Sequence, residues 1–214
     1  MAGAVEEDAS SNVFKEEIHL TVLKTSLFFA GDGFSVYDCS GQLVFRVDSY
    51  GPDTRDRDEL VLMDPNGRCL LTVRRKRPSL HQRWEGFKGE RMDGDKPIFS
   101  IKRASIIGRA RGSLTVEMYD THTPGEEYHI EGHFSHRHCT VYDAAKASVA
   151  EIRRKVDPTT GVVLGREVFS LCVKPGFDAA FAMGFVLVLD QINGEDDVDN
   201  NAAQEPAVHP ATED

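Results

Sequence analysis

Twelve short runs along the chain, each five to seven residues long, either alternate apolar and polar positions or are continuously apolar, with turn-forming residues between them. They occupy 18–24, 34–38, 42–47, 59–63, 69–75, 82–87, 98–103, 114–119, 128–134, 139–143, 149–155 and 168–174. A side-chain period of two, broken by turns every roughly 8–15 residues, is the pattern of half-buried strands in a sandwich or barrel. Asp38-Cys-Ser-Gly41, Asp64-Pro-Asn-Gly67 and Asp157-Pro-Thr-Thr-Gly161 are clusters of residue types that favour chain reversal. The pattern therefore predicts hairpins.

One segment breaks the period. Pro175-Gly176 ends the last strand, and Asp178 can cap the run Ala179-Ala-Phe-Ala-Met-Gly-Phe-Val-Leu-Val-Leu189. Its length and its Ala- and Met-rich first half predict a helix over 178–193. The eleven uncharged residues would rise about 16 Å as a helix, against roughly 30 Å of hydrocarbon in a bilayer, so they cannot span one. A helix apolar on every face needs protein around it. A sheet of twelve strands closing around it would bury it and remove its own edges. The expected fold is mainly β, a closed barrel of about twelve strands around a central hydrophobic C-terminal helix, with Phe181, Met183, Phe185, Val186, Leu187 and Leu189 buried.

Length and charge refine the boundaries. A chain of 214 residues suits one sizeable core. The net charge of −10 gathers at the ends: residues 1–17 carry −4, 194–214 carry −7, and the remainder is close to neutral at +1. Both ends are poor in large apolar residues, so 1–16 and 195–214 are expected to be disordered acidic segments flanking one domain over 17–194. The acidic start, Met1-Ala-Gly-Ala-Val-Glu-Glu-Asp8, has no basic or apolar region of a secretory signal, and Ala2 stands where myristoylation needs Gly. An intracellular chain is expected. Cys39, Cys69, Cys139 and Cys172 form no C-x-x-C pair and read as free thiols.

Four stretches carry a resemblance: Gly31-Asp-Gly-Phe-Ser-Val-Tyr-Asp38, Leu43-Val-Phe-Arg-Val-Asp-Ser-Tyr50, Val149-Ala-Glu-Ile-Arg-Arg-Lys155 and Phe177-Asp-Ala-Ala-Phe-Ala-Met-Gly184. Together they resemble the plant LURP-one-related family over about four-fifths of the chain. That family is similar to the tubby C-terminal domain and the phospholipid scramblases. The resemblance implies a tubby-like barrel of twelve strands around a hydrophobic helix, and a role in plant defence or stress.

Basic residues cluster at Arg74-Arg-Lys-Arg77, Lys102-Arg103, Arg109 with Arg111, and Arg153-Arg-Lys155. Neighbours on a strand point to opposite faces, so each cluster offers alternate members to one ligand. Where such groups converge they bind phosphates; where they do not, they are a solvated surface. Tubby-type domains take phosphoinositide head groups on a Lys-x-Arg pair, and Ile101-Lys-Arg-Ala-Ser105 is the similar segment. Lys102 matches the lysine, Ala104 stands at the arginine position, and Arg103 is shifted by one and faces the other way. Gly108-Arg-Ala-Arg-Gly112 reads as a hairpin turn or as an anion-binding loop through Arg109 and Arg111. The candidate anionic-lipid residues are Lys102, Arg103, Arg109 and Arg111.

Other chemistry is weaker. Gly132-His-Phe-Ser-His-Arg-His-Cys139 gathers His133, His136, His138 and Cys139 at no standard zinc spacing and reads as a polar hairpin, so no metal site is expected. Gly31-Asp-Gly33 is a turn rather than a dinucleotide fingerprint. No catalytic residue and no cofactor are nominated, and a near-neutral barrel with acidic ends argues weakly for nucleic acid. The expectation is a non-enzymatic, monomeric binding module that docks reversibly on anionic phospholipid, phosphoinositide or a protein partner. It would be cytoplasmic, with peripheral membrane or nuclear association. Alternatives are a scramblase-like lipid-handling protein, which needs the apolar helix in lipid, and an unrecognised enzyme, which needs a deep pocket of convergent ionisable groups.

Overall fold

A computed structural model describes residues 12–25, 33–48, 58–78, 83–103, 113–119 and 125–202. Twelve strands follow one another: β1 (Ile18–Leu23), β2 (Gly33–Tyr37), β3 (Leu43–Asp48), β4 (Glu59–Met63), β5 (Cys69–Arg75), β6 (Trp84–Lys88), β7 (Phe99–Arg103), β8 (Leu114–Met118), β9 (Glu127–His133), β10 (His138–Tyr142), β11 (Ser148–Arg154) and β12 (Val168–Val173). Each matches a predicted run to within two residues. Every strand pairs antiparallel with its sequence neighbour, and β1 closes on β12, with Ile18 opposite Val173 and Leu23 opposite Val168. The result is the expected closed barrel of twelve strands.

Through it runs the helix α1 (Ala179–Ala202). Asp178 caps its start, its carboxylate accepting the backbone N–H groups of Ala180 at 2.7 Å and Phe181 at 3.1 Å. Phe185, Val186, Leu187 and Val188 are at most 1% exposed, while Phe181 is only partly buried. Phe99 from β7 meets the helix edge-on, its ring centroid 6.0 Å from Phe181 and 5.3 Å from Phe185. Two glycines permit this packing. A Cβ on Gly86 would lie 2.2 Å from the Phe99 ring opposite it, and one on Gly184 would lie 2.4 Å from the Leu71 methyl.

Two boundaries differ from expectation. The helix continues nine residues past Asn193, to Ala202, into the stretch read as tail. Burial ends near Ile192, but backbone i to i−4 bonding needs no apolar partner to continue. At the other terminus, Asn12 and Phe14 lie in the stretch read as disordered, yet their carbonyls accept Ala179 N–H at 3.1 Å and Gly176 N–H at 3.0 Å, and Val13 bridges Asp178. Backbone pairing of this kind leaves no trace in composition. No helix among the described residues is long and apolar enough to cross a membrane.

Candidate functional site

Strand direction decides where the basic clusters go. Strands alternate in direction around the barrel, so connections that follow odd-numbered strands open at one rim and those that follow even-numbered strands at the other. The helix enters at the even-strand end, after β12, and leaves at the odd-strand rim, where its Asp190 meets Lys24, just past β1, at 3.2 Å. Arg74-Arg-Lys-Arg77 ends β5, Lys102-Arg103 ends β7, and Arg153-Arg-Lys155 ends β11. All three clusters belong to that rim. Arg109 and Arg111, in the connection from β7 to β8, lie outside the described residues. The opposite end is built on aspartates: Asp38, Asp64 and Asp143 each accept turn N–H groups at 2.8–2.9 Å. Hydrogen bonds from Ser40 and the Gln42 amide hold Asp38 below the usual carboxylate range.

Lys102 and Arg103 are not brought together. Lys102 shares the outward face with Ser100; Arg103 lies on the side of Phe99 and Ile101 at the rim end of β7. Lys102 donates to the Glu117 carboxylate in a network that also holds Arg83, whose guanidinium reaches Tyr119 Oη at 2.6 Å and Ser100 Oγ at 3.0 Å. The Lys102 hydrogen bond, with a second from Tyr119, keeps Glu117 below its ordinary range.

The stronger convergence lies on the barrel wall near the same rim. A groove of about 340 Å³ is lined by Arg74, Arg75, Lys76, Arg77 and Arg91, with Phe87, Asp58, Glu85 and Asp95. β5 ends at Arg75, so Lys76 and Arg77 escape strand alternation and all four members of the cluster line one groove. Arg91, from the connection after β6, was not singled out in the sequence, because nothing local marks it. The carboxylates are engaged: Asp58 by Arg77 at 2.9 Å, Glu85 by Lys76 at 2.8 Å, and the neighbouring Glu59 by Arg91 at 3.2 Å and more distantly by Arg74. Among the described residues five cations face three lining carboxylates, and the Arg77 side chain is 66% exposed. A guanidinium that gives one edge to a carboxylate keeps other N–H donors for a phosphate. The arrangement suits an anionic ligand and pairs no nucleophile with a base.

The model of the family described as LURP-one-related matches residues 18–190, the whole barrel and the buried helix. The chain belongs to that family. Protein LURP-one-related 12 of Arabidopsis thaliana is 63% identical over 202 residues, covering 94% of this chain and 89% of its own. Protein LURP-one-related 5 of the same plant is 65% identical over 201 residues and 93% of each chain. An X-ray structure of a further Arabidopsis thaliana protein matches with a TM-score of 0.60 at 24% identity, covering 85% of this chain and 94% of that one, which shows the fold.

In this LURP-one-related barrel the histidine-rich stretch is a 3₁₀ turn, Phe134–His136, joining β9 to β10. His133, His136 and His138 are exposed, whereas Cys139 is buried, its thiol pushed up to about 12 by desolvation. Between them Arg137, not singled out in the sequence, turns inward. Among the described residues one group, Glu17, His19 and Cys172, has ligand atoms within 4.8 Å of one another. It arises because His19 stands directly opposite Cys172 across β1 and β12. The Glu17 carboxylate already accepts from Lys174, and burial, with Glu17 adding to it, raises Cys172 to about 11. A metal would have to displace the ammonium and the proton.

Proposed function

We propose that this LURP-one-related chain is a non-enzymatic binding module whose basic rim docks on anionic phospholipid, phosphoinositide above all. The observation that supports it most is the groove of Arg74–Arg77 and Arg91, where cations outnumber carboxylates on a rim that also receives the β7 and β11 clusters. Lys102, Arg103, Arg109 and Arg111 would add their charge to that field rather than form a pocket of their own. The scramblase-like alternative needs residues 179–189 in lipid, and most of those side chains are packed inside the barrel. A place in plant defence or stress signalling, inside the cell, rests on the family resemblance.

The test is binding of the full chain to phosphoinositide-doped liposomes at two salt concentrations. Charge near an anionic surface is worth about 1 kcal/mol per Lys or Arg, so Arg74→Gln/Arg77→Gln should weaken binding roughly thirtyfold at low salt. Arg109→Ala/Arg111→Ala should weaken it in the same direction. Absence of any preference for anionic lipid would sink the lipid reading and leave a protein partner, sought by pull-down.

A further inference from the structure

Beyond the barrel proper, the chain between β11 and β12 forms an arm at the basic rim. Leu164 N–H donates to Lys155 at 2.9 Å, Asp157 N–H to Val162 at 2.9 Å, and Gly161 N–H to Asp157 at 2.9 Å; Val156 bridges Val163. Asp157 further accepts the N–H groups of Thr159 and Thr160, both at 2.8 Å, tightening the tip. The base is pinned by Lys155 Nζ to Thr21 Oγ1 at 3.0 Å and by Arg137 Nε to the Arg166 carbonyl at 2.9 Å. The arm is a preformed projection.

It also presents the wrong side chains for a solvated hairpin. Val156, Val162 and Val163 are 46%, 59% and 45% exposed, three of the seven large hydrophobics left exposed among the described residues, and they lie together. Phe14 and Val13 are at the opposite end of the barrel. Behind the valines stand Arg153 and Arg154, both exposed, with Lys155 and the exposed Arg166; Glu151 pairs with Arg153. The opposing acids on the arm are Asp157, engaged in its turn, and Glu167. Exposed valines on the two limbs of a hairpin, with long cationic side chains at its base, are the pattern of a bilayer interface, where the apolar side chains enter the acyl boundary and the cations reach the phosphates. A soluble phosphate would leave the valines in water.

We infer that the 155–167 arm is a membrane wedge: Val156, Val162 and Val163 insert into the interface of an anionic bilayer while Arg153, Arg154 and Arg166 contact its head groups. The inference rests on the anionic-lipid reading above and adds that the ligand is held in a membrane, not free in solution.

The test places an environment-sensitive fluorophore at Val162→Cys in a Cys39→Ser background, since Cys39 is exposed. The labelled full chain is mixed with phosphatidylserine–phosphoinositide vesicles, with phosphatidylcholine vesicles, and with soluble inositol trisphosphate. Expected are a blue shift on anionic vesicles only, and an approximately tenfold weaker vesicle affinity for Val162→Ser/Val163→Ser with inositol trisphosphate binding unchanged. Vesicle binding without a blue shift, or undiminished in the double-serine variant, overturns the wedge and leaves anionic docking standing. Binding of inositol trisphosphate but not of vesicles overturns the wedge and makes the ligand soluble. Binding of neither removes the lipid reading and the wedge with it.

Discussion

Arg137 is 6% exposed, in a left-handed conformation at φ 52° and ψ 47°, with its guanidinium between the rings of Phe134 and Phe169 at 4.2 and 4.3 Å. Stacking compensates part of its desolvation, and Asp190, with Nη1 to Oδ1 at 3.9 Å, supplies part of the countercharge. Burial still holds Arg137 below, and Asp190 above, their ordinary values. For Asp190 the folded value lies above the unfolded 3.8, so the folded state binds more protons between the two. Its contribution is full below 3.8 and is lost as pH rises through the folded value. The stability of the native chain relative to Asp190→Asn should therefore rise as pH is lowered from 7 toward 4. Urea unfolding at three pH values measures it, and a native chain that loses stability relative to the variant on acidification would contradict this account. Replacing Arg137 by Ala should cost about 3–5 kcal/mol, because Asp190 would stay buried with Lys24 alone.

At the scale of elements, the helix and the strands around it are a matched set in which one missing side chain is as important as the large ones. Gly184 faces Leu71 so closely that an added methyl would meet it at 2.4 Å, whereas Gly165 has nothing within 4 Å and no positive φ. Gly184→Ala should lower stability by about 1–3 kcal/mol and Gly165→Ala should leave it nearly unchanged, as read from thermal unfolding of both. Phe185→Asp, placing a charge among residues at most 1% exposed, should give no soluble folded chain. These elements were legible because each obeys a local rule: twelve alternating runs, an Asp cap after Pro-Gly, and an apolar stretch too short for a bilayer. Legibility ended where partners are distant in sequence. The carbonyls of Asn12 and Phe14 tie to the helix start, Arg91 joins the β5 cluster across a connection, and Arg137, beside Phe134 of its own turn, finds a second ring and a carboxylate from two distant places. None of those pairings has a periodicity to read.

For the whole molecule, polarity follows from parity. The basic clusters end β5, β7 and β11, so an antiparallel barrel must carry them to one rim, and the helix, entering from the other end, leaves at that same rim. Residues 195–214 hold seven acids and no Lys or Arg. The helix from 193 to 202 extends about 15 Å, comparable to the screening length of roughly 10 Å at 0.1 M salt, so acidic sequence that follows the buried helix is expected to weaken the approach of an anionic surface to the rim. Ending the chain after Gly194 keeps every buried helix side chain through Ile192, so the melting temperature should not move. Affinity for anionic vesicles should rise severalfold at low salt, and the difference should vanish near 1 M, where screening falls to about 3 Å. Equal affinity of the two chains at low salt would show that the tail's charge does not reach the docking face. A difference that persisted at 1 M would point to a steric rather than an electrostatic block.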